Sequence, residues 1–339
     1  MIRTDPDLRG TWFVLPTAFA DDGRLDLDGQ ASLVRAAISW GVDGVTALGV
    51  MGEAPALTDE ERTAVARMVV RASGGAVPVA IGCSGPAWQV VGARVRQAAE
   101  LGADAVMVSA PPLARDVDAV PRLFERLGAA SALPVIVQDE PAATGTLLPV
   151  SVLVRCVDAC SAAAVKLEDP PTPPKLAALL AARPGLRVFG GLGGVSALGE
   201  LRRGACGTMT GFSYPEVLAA IRTRVEGGDL RGAARVFDSY LPLIVLEGQP
   251  VVGLGIRKEI LRRRGALPTG ITRGAPVPDA DTLSELDEIL ERLGLDPSPQ
   301  RLELGEGGRK DVSEPLGAGI RGGVANLFAD SRQSHGPTP

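Results

Sequence analysis

Histidine is all but absent from this chain of 339 residues: the only one is His335, near the end. A Ser-His-Asp triad, a Cys-His pair and a His-rich metal site are therefore excluded from the body of the chain. Any general acid or base there must be a carboxylate, a tyrosine, a lysine, a substrate group or a water. Aromatic residues make up only 4%, and the tyrosines are Tyr214 and Tyr240. Cysteine is scarce as well, with four at 83, 156, 160 and 206. None forms a CxxC, and nothing resembles a disulfide framework. Cys156 and Cys160, four apart on a helical pattern, read as small core residues. No apolar run approaches the roughly 20 residues that span a bilayer. The opening MIRTDPDLRG has no apolar signal segment, so the expectation is a cytoplasmic protein without a membrane partner. The net charge of -5 argues against nucleic acid as a main partner.

Lysine is the most informative shortage. Of 35 Lys and Arg residues only four are lysines, at 166, 175, 258 and 310. Lys166 ends the apolar run of SAAAVKLED, which spans Ser161 to Asp169. Arginine cannot replace lysine as an imine-forming amine, because its guanidinium stays protonated and is a poor nucleophile. Lys166 is thus a candidate Schiff-base lysine; the alternative is a lysine that ends a strand and reaches water.

Periodicity gives the fold class. Short β segments are expected at 11–19, 44–48, 77–81, 103–109, 134–138, 162–166, 186–189 and 205–210, alternating with helical patterns. Thr58 with Glu61 forms a capping box at the start of one helix. Eight β units alternating with helices imply a parallel sheet with right-handed crossovers, closed as a (β/α)8 TIM barrel. An open doubly wound sheet is the alternative, disfavoured because no GxGxxG follows the first strand. Four further helical patterns follow Gly211, a C-terminal helical appendix. The expected division is a barrel over 1–212, a helical region over 213–297, and a disordered tail over 298–339, where Gly, Pro, Ser and charge show no periodicity.

A barrel of this kind carries its active site at the C-terminal ends of the strands. The loops to inspect include Gly49-Val50-Met51-Gly52-Glu53, Ala110-Pro111-Pro112, Gln138-Asp139-Glu140-Pro141, Lys166-Leu167-Glu168, Gly190-Gly191-Leu192-Gly193-Gly194 and Thr208-Met209-Thr210-Gly211. Residues two apart on a strand share a face, so Lys166 and Glu168 should both face the mouth. Glu168 is then either the proton carrier or half of a structural ion pair. The GGLGG run is either an anion-binding set of amides at Gly190 and Gly191 or a tight turn that makes room for substrate. Val50, Met51 and Gly52 offer amides, with Glu53 as an anchor from below.

These motifs together resemble the dihydrodipicolinate synthase / N-acetylneuraminate lyase family of class I pyruvate-handling barrels. The similarity spans roughly 9–296. It includes GVMGEAPALTDEER, similar to the family's GTTGE loop, AVKLED around Lys166, Thr144-Gly145, and GIRKEILRRRG from Gly255 to Gly265. The resemblance implies a lyase, aldolase or dehydratase, that holds pyruvate or another 2-oxo acid as an imine on Lys166. It implies the substrate carboxylate on the amides of Val50 and Met51, a homo-oligomer (dimer or tetramer), and no metal or organic cofactor.

The departures are specific. Val50 and Met51 replace the family's hydroxyl pair, Gln138 replaces the relay tyrosine after strand 5, the second relay tyrosine is missing from Ala110-Pro111-Pro112, and Ala143 replaces an arginine. An authentic dihydrodipicolinate synthase is therefore not expected. Glu168, Gln138 and Tyr214 are the groups expected to replace the lost relay as catalytic residues. Val50, Met51, Gly52, Gly190, Gly191 and Met209 are the expected substrate-binding residues. With Val50, Met51, Gln138 and Met209 the pocket reads as less hydroxylated than usual, which suggests a substrate less polar than a sugar acid. Arg115 is a candidate substitute for the arginine missing at 143. The alternative function is a non-catalytic 2-oxo-acid-binding or scaffold homologue that has lost the proton relay.

Overall fold

The computed structural model describes residues 6–296 together with 298, 301, 302 and 304. Eight short strands form its centre: β1 (Gly10–Val14), β2 (Gly44–Ala47), β3 (Val79–Gly82), β4 (Ala105–Ser109), β5 (Val135–Asp139), β6 (Ala164–Leu167), β7 (Val188–Gly190) and β8 (Gly207–Thr210). All pair in parallel and in sequence order, and β8 closes on β1. The expected (β/α)8 barrel is therefore present.

Strand alternation sorts the side chains. Val165 and Leu167 of β6 join the layer between barrel and helices, whereas Ala164 packs inside the barrel. The inner floor is filled by Trp12, Met107, Ile136, Phe189 and Met209. The Trp12 ring meets Phe189 edge-on at 5.9 Å, a favoured aromatic geometry. Gly44 makes room for that indole: a Cβ there would lie 2.4 Å from a Trp12 ring carbon.

The outer ring is built by α1 (Leu27–Ser39), α2 (Asp59–Ser73), α3 (Trp88–Glu100), α4 (Pro121–Ala130), the single turn α5 (Pro141–Thr144), α6 (Val150–Cys160), α7 (Thr172–Ala182), α8 (Ala197–Leu201) and α9 (Pro215–Glu226). The capping box forms as expected: Glu61 N–H donates to Thr58 Oγ1 at 3.2 Å, and Thr58 N–H donates to Glu61 Oε2 at 3.1 Å. Cys83, Cys156 and Cys160 are buried free thiols, and burial pushes each up to about 12.

Three helices follow: α10 (Leu230–Glu247), α11 (Gly253–Arg263) and α12 (Ala280–Arg292). Residue 212 marks no structural break, because α9 packs against both β1 and α10. Val217, Ile221, Val236, Ile244, Ile256 and Leu290 share one apolar core, each such burial stabilising by about 1.5–3 kcal/mol. The expected disordered tail falls mostly outside the described residues. Its beginning does not fit that expectation: Leu302 is buried in the helical core and its N–H donates to Glu216 Oε1 at 3.0 Å. Among the described residues no helix is long and apolar enough to cross a membrane.

Candidate active site

Lys166 stands in register with Gln138 of β5 and Phe189 of β7. Its side chain is 5% exposed, at the C-terminal mouth of the barrel. Glu168 follows two residues later and faces the same way, as strand geometry requires. Lys166 Nζ lies 2.9 Å from Glu168 Oε2. Gln138 Nε2 donates to that same oxygen at 2.8 Å. The other oxygen, Oε1, accepts the backbone N–H of Leu192 at 3.4 Å. One largely buried carboxylate is thus held between an ammonium, an amide and a loop N–H. A charge-assisted contact in such a place is stronger than at a wet surface.

The glycines of the β7 loop are explained by these carboxylates. A Cβ at Gly191 would lie 2.3 Å from Glu168 Cγ, and one at Gly190 would lie 1.8 Å from Glu200 Oε2. The Gly191 N–H donates to Leu167 O at 3.1 Å, and Gly190 stays in the strand ladder. Neither glycine therefore presents a free amide for an anion, one of the two readings of GGLGG; both leave room for a carboxylate side chain.

The β2 loop behaves differently. Val50 and Met51 begin a 3-10 turn, and their N–H groups have no acceptor among the described residues. Gly52 does not share that freedom, since its N–H donates to Gly49 O at 3.0 Å and its carbonyl accepts Thr17 Oγ1 at 2.6 Å. Glu53 anchors the loop as expected. Its carboxylate meets Lys258 Nζ at 2.6 Å and accepts the N–H groups of Arg273 and Gly274 at 2.6 and 2.7 Å.

Two expected site residues lie elsewhere. Met209 is fully buried in the barrel floor. Tyr214 is fully buried in the core beneath the C-terminal helices, with the Arg264 guanidinium 4.3 Å from its ring centre and Phe212 beside it. Burial pushes its phenol up to about 12. The structure therefore does not bring Tyr214 to Lys166.

A cavity of about 400 Å³ opens beside Gln138, between the loops that follow β2, β3, β4 and β5. Its surface is mostly apolar, and Ser84, Ser109, Thr144 and Glu140 are among the polar side chains that line it. No sequence signal marks the loop after β3, which supplies Ser84. Arg115 is exposed and does not line the cavity, whereas the small Ala143 does. Burial, and then the charge of Glu168, push Glu140 up to about 7, although Lys166 pulls the other way. Behind this layer Lys175 Nζ lies 2.6 Å from both Asp139 Oδ2 and Asp169 Oδ2 and donates to Leu148 O at 2.7 Å. It ties the ends of β5 and β6 together.

The site is thus a buried lysine–carboxylate pair at the C-terminal mouth of a parallel (β/α)8 barrel. Residues 7–263 match the dihydrodipicolinate synthetase family, and the chain belongs to it. It is 34% identical over 299 residues to the L-2-keto-3-deoxyarabonate dehydratase of Azospirillum brasilense, covering 85% of this chain and 95% of that protein. It is 28% identical over 306 residues to the 4-hydroxy-tetrahydrodipicolinate synthase of Acidobacterium capsulatum, covering 87% of this chain and all of that protein. Among solved structures, the dihydrodipicolinate synthase of Rhodopseudomonas palustris superposes with a TM-score of 0.82 at 31% identity, over 86% of this chain and all of that one.

Proposed function

We propose that this protein is a Schiff-base-forming dehydratase of a 2-keto-3-deoxy sugar acid, with the imine on Lys166. The observation that carries the reading is the trio of Lys166, Glu168 and Gln138, joined through one carboxylate oxygen at 2.9 and 2.8 Å. The 34% identity to a 2-keto-3-deoxy sugar-acid dehydratase supports the substrate class.

The chemistry follows from the groups present. The Lys166 ammonium passes a proton to Glu168, the neutral amine adds to the C2 carbonyl, and Glu168 returns the proton as the carbinolamine loses water; the resulting iminium acidifies the C3 protons. Glu168, next to Nζ, takes a C3 proton and leaves an enamine. The enamine expels the C4 hydroxyl as water when that oxygen is protonated, and Glu168 now carries the proton to deliver. Hydrolysis of the imine frees the product and Lys166, with one water lost overall. Gln138 keeps Glu168 in reach of both carbons. The free N–H groups of Val50 and Met51 suit the substrate carboxylate. An aldolase would instead break the C3–C4 bond and release pyruvate.

The test is product analysis. Incubation with 2-keto-3-deoxypentonates and 2-keto-3-deoxyhexonates should give products lighter by one water and no pyruvate. Release of pyruvate with an aldehyde would contradict dehydration and favour the aldolase. No turnover of any member would favour the non-catalytic homologue.

A further inference from the structure

We propose that Glu140 selects the tail of the substrate, accepting a hydroxyl from the carbons beyond the imine. The inference rests on the 2-oxo acid site proposed above.

Position comes first. Glu140 follows Gln138 by two residues, and both line the same cavity. Gln138 reaches Glu168, and Glu140 stands just beyond the end of β5. There it lines the cavity of about 400 Å³ with Ser84, Ser109 and Thr144. The hydroxyls of Ser84 and Ser109 lie 3.0 Å apart and can turn toward a ligand. This space beside Gln138 offers room for the hydroxylated carbons of a substrate bound to Lys166.

Charge comes second. No ion pair engages Glu140 among the described residues. Two guanidiniums line the cavity as well: Arg62 donates to Ala54 O at 3.2 Å and to Gly82 O at 2.9 Å, and Arg94 donates to Ser84 O and lies 3.5 Å from Asp59. A substrate hydroxyl there meets the Glu140 carboxylate as an acceptor. A carboxylate opposite a hydrocarbon tail would lose solvation without return, which favours the hydroxylated tail over the bare one.

The test compares pyruvate and a 2-keto-3-deoxypentonate on wild type, Glu140→Gln and Glu140→Leu. Borohydride trapping at graded concentrations reads half-saturation for each, and calorimetry reads binding without reduction. Glu140→Leu should lower the pentonate-to-pyruvate ratio at least tenfold. Glu140→Gln should keep most of that ratio. Melting curves show whether each variant is folded. Unchanged ratios in folded Glu140→Leu would overturn the proposal. If wild type traps no acid at all, the imine is wrong, and the calorimetric ratios alone then decide on Glu140. Equal pentonate binding by wild type and Glu140→Leu would overturn it there as well.

Discussion

Gly191 lacks a side chain where Glu168 needs the room: a Cβ on the glycine would stand 2.3 Å from the glutamate's Cγ. The β7 loop and the Glu168 carboxylate are therefore fitted to each other. Gly191→Ala should push Glu168 away from Lys166. Turnover should fall at least tenfold, while the far-ultraviolet circular dichroism stays that of the wild type. An alanine variant with full activity would show that Glu168 does not need its present position.

Glu168 and Gln138 separate proton transfer from imine formation. Positioned acid–base groups contribute about 10²–10⁴-fold to rate. Glu168→Gln should lower kcat by about that factor and still form the borohydride-trapped adduct. Gln138→Leu removes only the amide that steadies Glu168 at 2.8 Å, so its loss should be smaller. Rapid-quench measurement of adduct and product distinguishes the two steps. A Gln138→Leu defect larger than that of Glu168→Gln would reverse the assigned roles.

Glu200 predicts a pH dependence of stability. It is fully buried, Thr172 donates to its Oε1, and Gly190 leaves space for its Oε2. Burial raises it from 4.5 to about 7. The native state thus binds a proton more tightly than the unfolded chain. The stability it contributes is complete below about pH 4.5 and is lost as pH rises through about 7. Glu200→Gln removes that loss. The variant should gain on wild type at pH 8 by on the order of 2–3 kcal/mol at most, and gain nothing at pH 4.5. Chemical denaturation at the two values checks this, and an equal effect at both would contradict it.

The pair of Lys258 and Glu53 ties α11 to the β2 loop. Both side chains are nearly inaccessible, at 0% and 3% exposure. Removing one partner of a buried pair costs about 3–5 kcal/mol. Lys258→Met should sit at the low end, because two backbone N–H groups still hold Glu53. The substrate KM should rise with it, since the loop carries the Val50 and Met51 amides. Denaturant unfolding together with steady-state kinetics tests both.

Much of this was legible in the chain before any coordinates. Eight β segments at regular spacing predicted the barrel, and the rarity of lysine singled out Lys166. The period of two placed Glu168 beside it. What stayed hidden depends on packing between distant segments. The sequence GGLGG reads as an anion cradle or as a tight turn that makes room for substrate, and only the positions of Glu168 and Glu200 show what the glycines make room for. Tyr214 seemed available because tyrosines are scarce, but its neighbours Phe212 and Arg264 bury it in the helical core. Glu140 carried no signal, since a carboxylate after a strand is ordinarily solvated. Ser84 reaches the cavity only because β3 and β4 are adjacent in the closed sheet.

The imine on Lys166 is tested most directly by reduction with borohydride in the presence of pyruvate, followed by intact-protein and peptide mass spectrometry. The predicted result is one adduct per chain, heavier by pyruvic acid less one oxygen atom, located on Lys166 and absent from Lys166→Ala. An adduct that persists in Lys166→Ala, or no adduct with pyruvate and the 2-keto-3-deoxy acids alike, would contradict it.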